Sequence, residues 1–536
     1  MQYGFVIDNR MCIGCHACTV ACKSEHDVPI GVNRTHVKYI ETGEFPKSSR
    51  EFSVHRCNHC TNAPCVEICP TTALYTRSDG IVDFDNDRCI GCKSCMQACP
   101  YDALYIDPNT NTAAKCNYCA HKLDGGYEPA CVIVCPVEAI ISGDIEDPDS
   151  KIFRLIDSQE TKVRKPEKHT GPNLHYIDTS NQMLDPSSTN YDGNYVWSEQ
   201  SKGVGHYAKY AEQKSAETDA DDLLIQLAME GSIKSGKPID KRAIDDVAQE
   251  IQSNVDEKEA RRVYDSPSKG VLWGWEVPAY VLTKAIATGI FLMMFAWQWY
   301  NSEIDHFAEF KGLILTTFFM VLTGGLLIKD LDRPDRFLYV LLRPQWKSWL
   351  VKGACIITIF GGVVGLKLVC NVIGIEIFWL WYFGSTFAVL GAIYTAFLFN
   401  QAKARDFWLT PVQSAIHMLV HAIMAGSVGL ILIEPKSIYF MSEIIFFSLL
   451  INLLIFFKET VFHHDTPDTK RTIELITKGY FSKYFWVGIV IGNIIPIFLL
   501  VSQNEMLILI SSPLLILGIF LTEFVRIRVP QMIPLS

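Results

Sequence analysis

Sixteen of the eighteen cysteines lie between Cys12 and Cys135, in four groups of four. The groups are Cys12, Cys15, Cys18, Cys22; Cys57, Cys60, Cys65, Cys69; Cys89, Cys92, Cys95, Cys99; and Cys116, Cys119, Cys131, Cys135. Three closely spaced thiolates, followed three residues on by a fourth and usually a proline, is a spacing that holds iron–sulfur clusters in pairs, the fourth sulfur reaching the other cluster. Sixteen such ligands predict four 4Fe–4S clusters. Zinc also takes four cysteines, but its ligands come as two spaced pairs. Disulfides need an oxidising compartment, and the opening MQYGFVIDNRMC has neither an apolar core nor paired arginines to direct export.

The groups also repeat. The first and third share CIGC, and the second and fourth share CN-x-C with a longer gap before the closing C-x-x-x-C. Pro70, Pro100 and Pro136 follow the last cysteines, each ahead of an Ala-Leu or Ala-Ile pair; Lys23 stands where the first group lacks its proline. This is a duplicated two-cluster ferredoxin module, an α+β unit expected over residues 1–150, with strands near Tyr3–Ile7, Ile81–Phe84 and Leu104–Ile106 and short helices after Cys18 and Cys95.

The elements that must position this chemistry divide sharply. Residues 151–270 are polar and read as a linker whose early part wraps the module or a partner, with a helical part from Asp219 towards Arg262. Residues 271–536 form an all-α membrane domain, with apolar stretches of bilayer-crossing length near 278–300, 311–328, 349–370, 375–399, 411–433, 438–457, 484–502 and 506–525. From residue 301 onward, fifteen Lys and Arg fall on the module's side of these eight spans and three, Lys311, Lys367 and Lys436, on the other. Basic loops mark the cytoplasmic face, so the module is expected in the cytoplasm, on the inner membrane of a prokaryote. A net charge of −10 argues against nucleic acid as a partner.

Ionisable residues inside spans are costly and therefore functional candidates. Glu276, Tyr280 and Lys284 recur every four residues on one helix face; Asp330 and Asp332 lie where the second span leaves the membrane; His417 and His421 share a face of the fifth. All fall in the half of the bilayer beneath the clusters. Reducing a quinone takes two electrons and two protons, so its site needs a nearby electron donor, an apolar slot for the ring and polar partners for the oxygens. Tyr280, Lys284 and His421 are the candidate oxygen partners, with His417 beside them and Asp330, Asp332 and Glu276 as a proton path. Each also has a plainer reading: Glu276 as an interface anchor beside Trp273 and Trp275, Lys284 in an ion pair, the histidines bonding neighbouring helices. Two histidines four apart on one helix cannot take opposite axial positions on one iron, so no haem is expected. Cys355 and Cys370 stand singly in apolar surroundings and read as packing residues.

With CIGCHACTVAC and CIGCKSCMQACPYDALY, the front of the chain resembles the four-cluster electron-transfer subunit of the dimethyl sulfoxide, polysulfide and thiosulfate reductase family. The rest resembles that family's NrfD-type membrane subunit, through Trp273-Gly274-Trp275, Gly289, the Asp330-Leu331-Asp332-Arg333-Pro334 turn and eight spans. The resemblance implies four ligand sets: Cys12, Cys15, Cys18 with Cys135; Cys116, Cys119, Cys131 with Cys22; Cys57, Cys60, Cys65 with Cys99; and Cys89, Cys92, Cys95 with Cys69. It also implies electron exchange with menaquinone or ubiquinone, and a separate catalytic partner carrying a molybdenum or tungsten pterin (molybdopterin) cofactor and acting on a sulfur compound or similar oxyanion. A hydrogenase partner is one alternative. Ion translocation is another, for which Lys367, Glu376, Glu434 and Asn452 are the polar residues toward the far side.

Overall fold

The computed structural model describes residues 1–43, 49–191, 260–265, 270–301, 304–462 and 466–535. The cysteine loops must curl round their own sulfurs, and the two CIGC sequences do so with the same backbone. Gly14 and Gly91 both have φ of +68°, a left-handed conformation open to glycine at no steric cost. Short helices follow the loops: α1 (Ala17–Glu25), α2 (Pro64–Ile68), α3 (Ser94–Ala98), α4 (Ala120–Leu123) and α5 (Ala130–Ile133).

Strands β1 (Tyr3–Asp8), β2 (His36–Thr42) and β3 (Ser49–His55) precede two hairpins, β4 (Leu74–Thr76) with β5 (Val82–Phe84) and β6 (Leu104–Asp107) with β7 (Thr112–Lys115). Next come β8 (Ile140–Asp144), α6 (Lys151–Ser158), β9 (Thr161–Lys162), β10 (Leu174–Ile177), β11 (Asn190–Tyr191) and β12 (Arg261–Tyr264). One sheet runs β8-β1-β10-β9 and a second β11-β12-β2-β3.

These sheets correct the expected boundary at residue 150. β10 lies parallel to β1, with Phe5 opposite Leu174, and β12 lies antiparallel to β2, with Arg262 opposite Ile40. Residues 151–191, expected to wrap the module or a partner, pair with the module's own strands, so the iron–sulfur unit extends past residue 150. Their strands are only two to four residues long, so a polar average over the segment hides them. The helix expected from Asp219 lies outside the described residues.

Among the described residues, eight apolar helices of membrane-crossing length follow: α7 (Glu276–Asn301), α8 (His306–Lys329), α9 (Trp349–Val372), α10 (Trp379–Gln401), α11 (Pro411–Ile433), α12 (Pro435–Val461), α13 (Ser482–Val501) and α14 (Glu505–Met532). α7 packs at the centre, closest to α11, where Gly289 meets Gly426. A Cβ on Gly289 would stand 1.9 Å from the Ala422 carbonyl oxygen. Without a hydrophobic drive between helices in lipid, such small residues allow the close contact that holds them.

The loops on one side of this bundle grip the iron–sulfur unit. The Ser348 hydroxyl donates to the Ile68 carbonyl at 2.7 Å, and the Gln97 and Gln531 side chains meet at 2.6 Å. Buried Arg405 donates to Gln97 at 3.2 Å and to the carbonyls of Pro530 and Ile533 at 3.0 and 2.6 Å. The module is thereby fixed over the ends of the helices that carry the candidate residues.

Candidate redox site

The fold brings the thiols together in groups of four that combine distant parts of the chain. Three small cavities are each lined by four cysteines: Cys12, Cys15, Cys18 and Cys135; Cys57, Cys60, Cys65 and Cys99; Cys69, Cys89, Cys92 and Cys95. Cys22 lies within electrostatic reach of Cys116, Cys119 and Cys131. Successive sets also neighbour one another, Cys18 near Cys131, Cys116 near Cys57, and Cys95 near Cys65. Burial pushes the Cys92 and Cys119 thiols up to about 12. Sulfur anions here are stable only against a positive centre, which suits this donor set to iron.

At the other end of the series, Cys92 also forms part of the wall of a larger cavity of about 260 Å³ between the module and the bundle. Ile90 and Ser94 flank it from the module; Trp273, Tyr280, Asp330 and Tyr394 supply polar groups from the bundle; most of the rest is aliphatic. Asp330 ends α8, and burial, partly offset by Lys93, holds its carboxyl up at about 7. Asp332 sits at the junction, 3.0 Å from Lys93. Glu276 pairs with Lys329 at 3.4 Å, beside the Trp275 ring on which the lysine rests.

The structure thus divides the candidate residues. Tyr280 and Asp330 reach the cavity; Lys284, His417 and His421 do not line it. Lys284 lies behind Tyr280, 1% exposed, donating to the Ala392 carbonyl at 3.1 Å and to the Thr395 hydroxyl, with its amine 4.3 Å from the Tyr394 ring centre. His421 contacts Glu523 through Nδ1 at 3.1 Å. Arg526 donates to His417 Nδ1, to Glu523 at 3.3 Å and to Glu459 at 2.6 Å.

Glu459, Glu523 and Arg526 were not among the candidates. Arg526 reads in sequence as a loop charge, and the only hint was a carboxylate three residues ahead of it inside LTEFVRIR. On the far side, Lys367 pairs with Glu309 at 2.9 Å, Glu434 is buried and Glu376 exposed, whereas Asn452 is not at that face: it neighbours His417 in the module-side half of α12 and donates to Asn493 at 2.8 Å.

A thiol-rich module seated on eight membrane-crossing helices, with its innermost sulfurs opening on a cavity between the two, defines a membrane-bound electron-transfer protein. Residues 265–534 match the family described as polysulphide reductase, NrfD, and this protein belongs to that family. Residues 49–145 match a 4Fe-4S dicluster domain, fused ahead of it. Over its front third the chain is 44% identical to a tetrathionate reductase subunit of Salmonella typhimurium, in a match covering 34% of this chain and 76% of the relative. It is also 44% identical to one of the polysulfide reductase chains of Wolinella succinogenes, covering 33% of this chain and 94% of the relative. The iron–sulfur subunit of the arsenate respiratory reductase of a Shewanella species is 35% identical, covering 33% and 96%. The chain is a multi-pass membrane protein with 4Fe–4S clusters and the role of an electron-transferring subunit of an oxidoreductase.

Proposed function

We propose that this chain passes electrons between a quinone pool and a separate catalytic subunit, through four 4Fe–4S clusters held by the four thiol sets above. The clusters supply single-electron storage. The observation that carries the reading is that Cys92 shares the wall of the 260 Å³ cavity with Tyr280 and Asp330. A menaquinone or ubiquinone ring seated there has an apolar slot, a hydroxyl for one oxygen and a carboxyl that holds or releases a proton. Lys284, His417 and His421 stand behind Tyr280 as a reserve of polar groups, and Glu276 and Asp332 lie on the route from Asp330 to solvent.

The opposite end of the module supports the partner. Cys15 is exposed, and Ile13, Val20, Ile133 and Val134, on the segments that carry the outer cysteines, are 55%, 64%, 59% and 40% exposed. Exposed apolar side chains on those segments suit a protein that must approach the outer sulfurs closely. The relatives belong to reductases of tetrathionate, polysulfide and arsenate, which favours a molybdopterin-containing subunit acting on a sulfur compound or similar oxyanion. The basic character of the loops that grip the module supports a cytoplasmic position for this face.

A photoreactive azidoquinone tests the site. Labelling is expected on the cavity segments of α8 and α9, suppressed by excess native quinone. Labelling confined to α11 and α14 would put the ring elsewhere.

A further inference from the structure

Among the described residues, three cations of the module, Arg56, Lys115 and Arg164, are buried without a carboxylate; Arg164 donates to the carbonyls of Leu184 and Tyr101, whereas the other two lie against cysteine thiols. Arg56 is 1% exposed and Lys115 fully buried. Among the described residues, neither has an acidic group within ion-pair distance, whereas Lys38 and Lys93 pair with Asp265 and Asp332 at 2.6 and 3.0 Å. Arg56 donates through Nη1 to the Cys131 sulfur at 2.9 Å and lies over the Phe5 ring at 4.7 Å, while its Nε and Nη2 meet no acceptor. Lys115 donates to the carbonyls of Val82 and Cys116, the latter at 2.8 Å, and lies against the Cys57 thiol.

Their placement follows the repeat. Arg56 immediately precedes the CN-x-C of the second group, and Lys115 immediately precedes that of the fourth. Each reaches across to the other's group: Arg56 to Cys131, Lys115 to Cys57. Arg56 therefore stands between the outermost set and the Cys116 set, within reach of Cys12, Cys18, Cys116 and Cys131. Lys115 stands between the Cys116 and Cys57 sets.

A buried cation with no anion to face is strongly unfavourable. Here the missing counter-charge is the sulfur ligand sets themselves. A 4Fe–4S cluster with four thiolates is anionic, and taking up one electron adds a further negative charge with no bond made or broken. A fixed positive charge beside it favours the reduced form, and net charge and hydrogen bonds to sulfur are among the quantities that set its potential. We propose that Arg56 and Lys115 are redox-positioning residues that raise the reduction potentials of the outer and middle clusters. The inference rests on the ligand sets given under the proposed function.

The test is a redox titration of the purified full-length protein, followed by electron paramagnetic resonance, with iron and sulfide counted in each sample. Arg56→Gln is expected to lower the potentials of the two clusters it adjoins by at least the equivalent of a tenfold change in the reduced-to-oxidised ratio, about 59 mV for one electron. Arg56→Lys should restore most of the shift, and the cluster of Cys69, Cys89, Cys92 and Cys95 should not move. Lys115→Met should shift the Cys57 and Cys116 clusters in the same direction, and it carries the test alone if Arg56→Gln fails to assemble. Neutral variants with full iron content and unmoved potentials overturn the inference. Wild-type protein with fewer than four clusters would instead overturn the ligand reading beneath it.

Discussion

Lys93, next to Cys92 in sequence, reaches out of the iron–sulfur module to Asp332 at 3.0 Å and donates to the Asp330 carbonyl at 3.1 Å. The turn that carries both aspartates is laid along the CIGC loop: Asp332 N–H points to the Gly91 carbonyl, and Arg333 N–H to that of Ile90, each at 3.3 Å. Gly91 has no room for a side chain, since a Cβ would stand 2.7 Å from that of Asp332. Gly91→Val should therefore lift the turn from the module through both its positive φ and this clash, at about 1–3 kcal/mol. Thermal unfolding of the detergent-solubilised protein should show the loss, with slower quinol-driven cluster reduction; an unchanged protein on both counts would contradict the docking role of the turn.

Asp330 gives the cavity a pH dependence. Its carboxyl, held near 7 against an ordinary 3.8, keeps a proton in the folded protein over the window in which the unfolded chain has lost it. The group therefore favours folding most below about 4; that contribution falls as pH rises to about 7 and is level above. As a proton acceptor from a quinol it works only when ionised, so the rate of cluster reduction by quinol should rise through pH 7. Asp330→Asn should flatten the profile and slow the reaction at pH 8. A variant that retains the wild-type profile would assign the proton to another group.

Arg526 holds the buried acids together, 2.6 Å from Glu459 and 3.3 Å from Glu523. Removing one partner of a buried pair leaves the other charge uncompensated, typically about 3–5 kcal/mol. Arg526→Met should lower thermal stability by that order while leaving iron and sulfide content intact, because the network lies apart from the thiols. Replacing Glu459 by Gln in the same protein should recover part of the loss.

The sequence was most legible where covalent or solvent constraints are strict. Thiol spacing gave the cysteine groups, and bilayer thickness fixes the length of an apolar run, so all eight spans lie close to their expected positions. Gly289 and the Asp330–Pro334 turn could be singled out in sequence, but their jobs, a helix crossing and a dock for Ile90 and Gly91, depend on contacts between distant segments. The pairing of β10 with β1 was hidden because a four-residue strand leaves too short a pattern to read. His417 and His421 were found by their spacing, yet whether they faced a cavity or Glu523 and Arg526 was decided by α14, whose acid and base read in one dimension as the frayed end of a span.

We propose that a quinone or quinol exchanges electrons with the clusters from the cavity beside Cys92. Gly324 lines that cavity, and a Cβ there would meet nothing within 4 Å, so Gly324→Trp fills the space without straining α8 at its first atom. Stopped-flow reduction of the clusters by a quinol, compared with reduction by dithionite, tests the claim directly. The variant is expected to lose quinol-driven reduction by at least tenfold and to keep full, rapid reduction by dithionite. Wild-type quinol kinetics in a correctly folded Gly324→Trp protein would contradict it.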